Sequence, residues 1–186
     1  MQSALCCSTS LDAYFALDWY KAHDEATAQW HNSELGEMVY QAKYHGRRDL
    51  VATLAARLAE LIRVHPLYSS ARLLAAVPCL PSKQYDLPRH LCATLTPLIR
   101  KVDATGSLRK VRETKPMKDI DDHAEKLSNV SGAFRADALS IAGDDVILVD
   151  DTYGSGVTLW EVARTLRDSG ARRVLGISCV KNRGFR

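Results

Sequence analysis

The sequence predicts an α/β fold, a mainly parallel β-sheet with helices on both faces. Two observations predict it. Short apolar runs at residues 73–77, 146–149 and 174–180 read as strands buried on both sides. Between and before them lie stretches with apolar residues at i, i+3, i+4 and i+7, the spacing of a helix with one buried face. Alternating strands and helices give a parallel sheet wrapped by its own connections. At 186 residues the chain is long enough for one ordinary domain with a sizeable core.

The elements follow in order. Residues 1–33 carry Trp19, Tyr20 and Trp30 but little periodicity. Residues 34–44 read as a helix through Leu35, Met38, Val39 and Ala42, interrupted by His45-Gly46-Arg47-Arg48. Asp49 is placed to cap a second helix, which runs through Val64 with Leu50, Leu54, Leu58 and Leu61 along one face and ends near Pro66. A buried strand at 73–77 is closed by Pro78, and residues 81–85 read as loop. Asp86-Leu87-Pro88 opens a helix reaching about residue 101, which Pro97 should kink or shorten. Residues 108–112 suggest a strand. The polar stretch 113–119, with Pro116 inside it, reads as a mobile loop. Asp121 or Asp122 caps a short helix to about Val130. The clearest strand, 146–149, precedes a helix over 156–169 that Gly170 ends.

Bulk properties narrow the function. The composition, 46% apolar and 25% charged, is that of a globular protein. A net charge of +3 is too small to imply direct nucleic-acid binding. No apolar run approaches the roughly 20 residues of a membrane span. The first 20 residues lack the basic start and apolar run of a signal peptide. Five scattered cysteines, with Cys6 and Cys7 adjacent and no Cys-x-x-Cys pair, fit a reducing compartment and argue against a structural zinc site. A cytoplasmic protein is expected.

The chemistry concentrates in residues 146–158, VILVDDTYGSGVT. Ligands in open α/β sheets sit beyond the carboxyl ends of strands, where Asp150 and Asp151 should lie. Gly154 and Gly156 allow the main chain to approach a ligand closely. Free N–H groups at the following helix start favour an anion. Ser155 and Thr158 add hydroxyl donors. Carboxylates would repel a phosphate they touched, but suit the hydroxyls of a sugar diol or a bound Mg2+. A ribose 5-phosphate satisfies both halves. The Walker lysine is absent, and Leu159 stands where a dinucleotide fingerprint has its third glycine.

Residues 146–158 resemble the phosphoribosyl-pyrophosphate (PRPP) motif of type I phosphoribosyltransferases. Residues 36–46 (GEMVYQAKYHG), Val77-Pro78 and residues 111–134 (VRETKPMKDIDDHAEKLSNVSGAF) resemble segments of the ComF-type, competence-associated proteins of that family. The resemblance implies a Rossmann-like, mainly parallel core, the type I phosphoribosyltransferase fold. It implies a helical N-terminal or hood element in residues 1–33 and a phosphoribosyltransferase-like domain over 34–186. It implies Mg2+-dependent transfer of phosphoribose from PRPP to an acceptor, with release of pyrophosphate. Asp150 and Asp151 would hold the ribose hydroxyls, directly or through the metal. Thr152, Tyr153, Gly154, Ser155, Gly156, Val157 and Thr158 would form the 5-phosphate loop, with Tyr153 stacking on a base or packing on the helix. Arg112, Thr114 and Lys115 would face the pyrophosphate, and Lys43 would reach the same region. A homodimer is compatible with the resemblance. The chain departs from the family pattern in three places. It has only Cys6 and Cys7 where a four-cysteine zinc element is common, PCLPSKQYDLPRH where an Arg-Gly-Phe-Asn segment is usual, and Met117 for glutamine. The alternative these departures favour is a non-catalytic PRPP-binding regulatory or adaptor protein linked to DNA uptake or processing.

Overall fold

The computed structural model describes residues 10–79 and 85–183. Its elements run β1 (Ala13–Trp19), β2 (Lys21–Asp24), β3 (Gln29–Asn32), α1 (Glu34–Tyr44), α2 (Leu50–Val64), α3 (Pro66–Ser70), β4 (Leu73–Ala76), α4 (Leu87–Ile99) and β5 (Val102–Asp103). They continue with β6 (Leu108–Lys110), α5 (His123–Val130), β7 (Phe134–Ala136), α6 (Ala138–Ile141), β8 (Asp145–Tyr153), α7 (Val157–Asp168) and β9 (Arg173–Lys181). Five strands form one sheet in the order β1-β9-β8-β4-β5, every pair parallel. The short antiparallel pairs β2–β3 and β6–β7 stand outside it.

Both faces of the sheet are covered, and the strand residues alternate between them. Leu74, Ala76, Ile147, Val149, Leu175 and Ile177 pack with α1, α2 and α4 in one core. Leu73, Ala75, Val146, Leu148 and Val174 pack with α7 and with Phe134 of β7 in the other. A strand with two buried faces must be apolar at every position, which is the pattern the runs at 73–77 and 146–149 display. The connection after β4 therefore crosses by α4 on the first face toward β5. The connection after β8 crosses by α7 on the second face toward β9. Adjacent strands whose connections leave in opposite directions open a crevice at their carboxyl ends, here between β4 and β8.

At the far end of β1, Ser33 ties α1 to the sheet. Its hydroxyl donates to Trp19 O at 2.6 Å and accepts from Gly36 N at 3.0 Å, and its own N–H donates to Tyr20 O at 3.0 Å. Gly36 sits so close that a Cβ there would collide with the Tyr20 carbonyl. The helix is thereby held at its start, with Lys43 in its last turn.

Several expectations are corrected. Residues 13–32 form β1 and the β2–β3 hairpin rather than a helical hood. The aromatic residues of Ala13–Trp19 suit a pleated edge strand, with Tyr14 turned to one core and Phe15 and Leu17 to the other. The motif strand extends past residue 149 to Tyr153, because β9 continues alongside it and pairs Asp150 with Ser178 and Tyr153 with Lys181. Pro97 leaves α4 to stop at Ile99, with Arg100 in the left-handed region at φ 52°. Residues 108–112 supply only the three-residue β6, which pairs with β7 and not with the main sheet. Asp49 precedes α2 without a capping bond from its side chain, which pairs with Arg47 instead. Most of the loop expected at 81–85, and the Cys6-Cys7 pair, lie outside the described residues.

At the opposite end of β8 from the crevice, Asp145 is buried and accepts from Arg172 at 2.7 and 2.8 Å and from Arg173 at 2.5 Å. The Arg173 contact, helped by Arg172 and opposed by burial, holds its carboxyl down to about 2. A depressed carboxyl contributes stability that is present above its unfolded value, about 4, and lost as pH falls through the folded one. Asp145→Asn should therefore cost about 1.5–3 kcal/mol at pH 7, and much less at pH 2.5. Denaturant unfolding at the two pH values checks this; equal penalties at both would exclude an ionic origin.

Candidate functional site

The crevice between β4 and β8 gathers acidic groups from a strand end and a helix start. Asp150 and Asp151 stand on the last turns of the pleat in β8. Asp86 stands at the start of α4, where its side chain accepts from Arg89 N at 3.2 Å and from the Cys79 thiol at 3.1 Å. Asp86 is close enough to Asp150 for its charge to be felt there.

Successive residues of a strand point to opposite sides, so the two aspartates of β8 have different surroundings. Asp151, on the side of α1, has a side chain only 5% exposed. Both its carboxylate oxygens face the ammonium of Lys43, at 2.9 Å for Oδ1 and 2.7 Å for Oδ2. Burial works against the charge of Lys43, but the Asp151 contact outweighs it and keeps the amine protonated well above its ordinary range. Asp150 accepts the Asp151 N–H at 2.8 Å. Burial first, and the neighbouring Asp151 charge second, push the Asp150 carboxyl upward against the pull of Lys43.

The loop that follows is short. Gly154 and Ser155 are exposed, and α7 begins at Val157. Gly156 has φ +81°, and a Cβ there would strike the Tyr153 ring as well as strain the backbone. No side chain caps α7, so its first amides face outward as an N-terminal anion site would require. Tyr153 stacks on Tyr14 with ring centroids 4.3 Å apart. The Tyr14 hydroxyl bonds Ser178 Oγ at 2.6 Å, and Ser178 Oγ donates to Val180 O at 2.9 Å, so Tyr14 is the donor. Tyr153 thus packs against a ring of β1. Thr152 and Thr158 are half-buried, and Val157 is buried.

Arg112, Thr114 and Lys115 lie apart from this cluster in their bonding. The Arg112 guanidinium donates to the carbonyls of Glu113, Asn129 and Ser131 at 3.2, 3.0 and 2.9 Å. Thr114 accepts from Lys110 at 2.6 Å. Lys115 N donates to Asn129 Oδ1 and Asn129 Nδ2 donates back to Lys115 O, both at 3.0 Å, while its exposed ammonium lies 3.5 Å from Glu125. Residues 112–115 are thus bonded to α5 and its end, within the loop expected for 113–119. None of these bonds is with Asp150 or Asp151.

The structure brings together Lys43, Asp150, Asp151 and the 152–158 loop. Sequence reading missed Asp86, whose place at a helix start was legible but whose nearness to Asp150 was not. It also missed Tyr14 and Ser178, which support the loop from two other strands. Only the placement of β1 and β9 beside β8 reveals them.

The fold has solved counterparts. Glutamine PRPP amidotransferase from B. subtilis, complexed with ADP and GMP, superposes with a TM-score of 0.51 at 17% identity, over 80% of this chain and 33% of that one. An allosteric regulatory enzyme of purine biosynthesis matches with a TM-score of 0.43 at 20% identity, over 68% of this chain and 25% of that one. The chain spans a third or less of the length of these proteins. The α/β fold is that of type I phosphoribosyltransferases, as the sequence predicts. No family model and no curated protein matches the chain by sequence. Among the described residues, no helix is long and apolar enough to cross a membrane.

The half-buried Asp150 generates a prediction. A carboxyl raised by burial favours folding when protonated; that contribution is complete below the ordinary Asp range, near pH 4, and is lost as pH rises through the folded value. Asp150→Asn should match or fall below the wild type in stability at pH 4 and exceed it at pH 8. The gain should be on the order of 1 kcal/mol, about 2–4 °C in Tm. Thermal unfolding at both pH values decides; a variant less stable than wild type at pH 8 contradicts the burial effect.

Proposed function

We propose that the protein binds PRPP in the crevice between β4 and β8 and transfers its phosphoribosyl group to an acceptor. The observation that carries the reading is the sequence of groups along one strand end. Two carboxylates, Asp150 and Asp151, are followed at once by the Gly154–Gly156 turn and the uncapped start of α7. The amides of the turn suit the 5-phosphate, and the hydroxyls of Ser155 and Thr158 add donors. The carboxylates three and four residues before the turn suit the ribose hydroxyls.

Mg2+ fits the donor set in the way it commonly binds, through one or two carboxylates with the remaining positions filled by water and ligand phosphate. Asp150 and Asp151 would hold it, and it would supply charge stabilisation to the departing pyrophosphate. The chain's own residues do the rest. The turn holds the 5-phosphate, and the acidic pair orients the ribose with C1 open to the acceptor. The acceptor's lone pair forms the new bond to C1 as the C1–O bond to pyrophosphate breaks, and the electron pair leaves with pyrophosphate. A nearby carboxylate favours the positive charge that builds on the ring. Positioning carries much of such a reaction, and no side chain need act as nucleophile.

The ComF-type resemblance, and with it the link to DNA uptake or processing, rests on residues 36–46 and 111–134. A second reading, a PRPP-binding adaptor without turnover, is favoured by a specific observation. The cations assigned to pyrophosphate, Arg112 and Lys115, are engaged with α5 and its end. A homodimer and a cytoplasmic location accompany either reading.

Calorimetry with PRPP and Mg2+ tests the common premise, with binding expected below millimolar ligand; none at that level removes both readings. Asp151→Asn should weaken binding at least about tenfold, the equivalent of roughly 1.4 kcal/mol. Pyrophosphate release with a panel of bases and amines then separates transferase from adaptor.

A further inference from the structure

The acidic pair already contains a cation of the protein's own. Lys43 Nζ lies within 3 Å of both carboxylate oxygens of Asp151, so the ammonium stands where a metal or a diol would have to approach that side chain. The contact joins residues 108 positions apart. It depends on the seating of α1 by Ser33 and Gly36 at the other end of the helix. Its two partners differ in freedom. The Asp151 side chain is 5% exposed and fixed in the sheet, whereas the Lys43 side chain is 27% exposed on a flexible four-carbon stem. The lysine can leave without unfolding anything, and the carboxylate cannot.

Metal binding without other ligands would be poor here for a second, independent reason. Among the described residues, no group of three or more His, Cys, Asp or Glu side chains is arranged to hold a metal ion. Mg2+ demands near-octahedral oxygen coordination, and two carboxylates, one already paired with an ammonium, provide little of it. An anionic sugar phosphate changes both terms. It brings additional oxygen ligands, and its negative charge offers the ammonium another partner.

We propose, building on the PRPP reading above, that Lys43 is a resident counter-ion. It occupies the metal-facing side of Asp151 in the ligand-free protein and yields it only when a divalent cation arrives with an anionic phosphorylated sugar. The site then excludes free metal and, on release, closes its own charge without recruiting an ion from solution. Lys43 acts as a positioning residue through Asp151, and the expected signature is in metal affinity rather than in rate.

The experiment is a titration of Mn2+, read by the paramagnetic signal of the free ion, on wild type and Lys43→Met, each without and with PRPP. Wild type should bind Mn2+ alone only weakly, with Kd above about 1 mM, and at least tenfold more tightly with PRPP present. Lys43→Met should bind Mn2+ alone at least tenfold more tightly than wild type. The proposal is overturned if the variant binds free Mn2+ no better than wild type, or if wild type binds it equally with and without PRPP. Circular dichroism verifies folding, and Lys43→Gln replaces the methionine variant if that one does not fold. PRPP binding in the presence of Mg2+ is measured separately by calorimetry. Its loss would remove the PRPP reading, while the comparison of free-metal affinities would still judge Lys43.

Discussion

The structure depends on one constraint: a central parallel strand covered on both faces has no position at which a charge can be hidden cheaply. β8 obeys it from Val146 to Val149, each residue fully buried and alternating between the two cores. Its first residue, Asp145, is tolerated because two arginines meet it at the amino end of the strand. The carboxylates at the other end, Asp150 and Asp151, come where the helical layers open into the crevice. Burial of a charge costs several kcal/mol unless it is paired or neutralised. The site arises where the strand outruns its cover, and the two aspartates meet that cost differently, one by an ion pair and one by a raised protonation equilibrium.

What was legible in the sequence follows from the same constraint. Strands buried on both faces announce themselves as unbroken apolar runs, so β4, β8 and β9 were found. The helices that cover them carry a one-sided stripe, so the predicted bounds of α1 coincide with those observed. Edge and satellite strands carry no such signal. β1 is half-buried along most of its length and mixes aromatic, acidic and small residues. β2, β3, β6 and β7 are three or four residues each, too short to display a period. The extension of β8 through Tyr153 was illegible for another reason: it is decided by the length of its neighbour β9, not by its own residues.

The candidate site divides along the same line. Asp150, Asp151 and the glycine turn are contiguous, and their chemistry could be read from spacing alone. Lys43 was placed in the region only by resemblance, and its pairing with Asp151 is a tertiary fact set by the seating of α1. Arg112 and Lys115 illustrate the converse. Cations in a polar, proline-bearing segment look available to a ligand, yet the orphan carbonyls at the end of α5 compete for them. Arg112 satisfies two of those carbonyls, and Asn129 closes a two-way bond with Lys115. The end of α5 has a standing demand for donors even with Gly132 in the left-handed region just beyond it, and sequence alone does not say which cation will meet it.

These local solutions resolve the charge conflict that the acidic pair poses next to an anion-binding turn. Two full negative charges within a few residues of the α7 N-terminus would oppose the partial positive charge of its amides, which is worth about half an elementary charge. In the folded chain two effects reduce the charge that faces that turn. Lys43 offsets Asp151 at contact distance. Burial and the neighbouring charge bias Asp150 toward its neutral form. On the proposed reading, the turn thus keeps its preference for anions while the carboxylates accept hydroxyl donors from the same ligand. Because Asp151 is fixed and Lys43 is not, the balance can shift toward negative charge only when something else takes the ammonium, and an anionic ligand bound at the turn is itself such a partner.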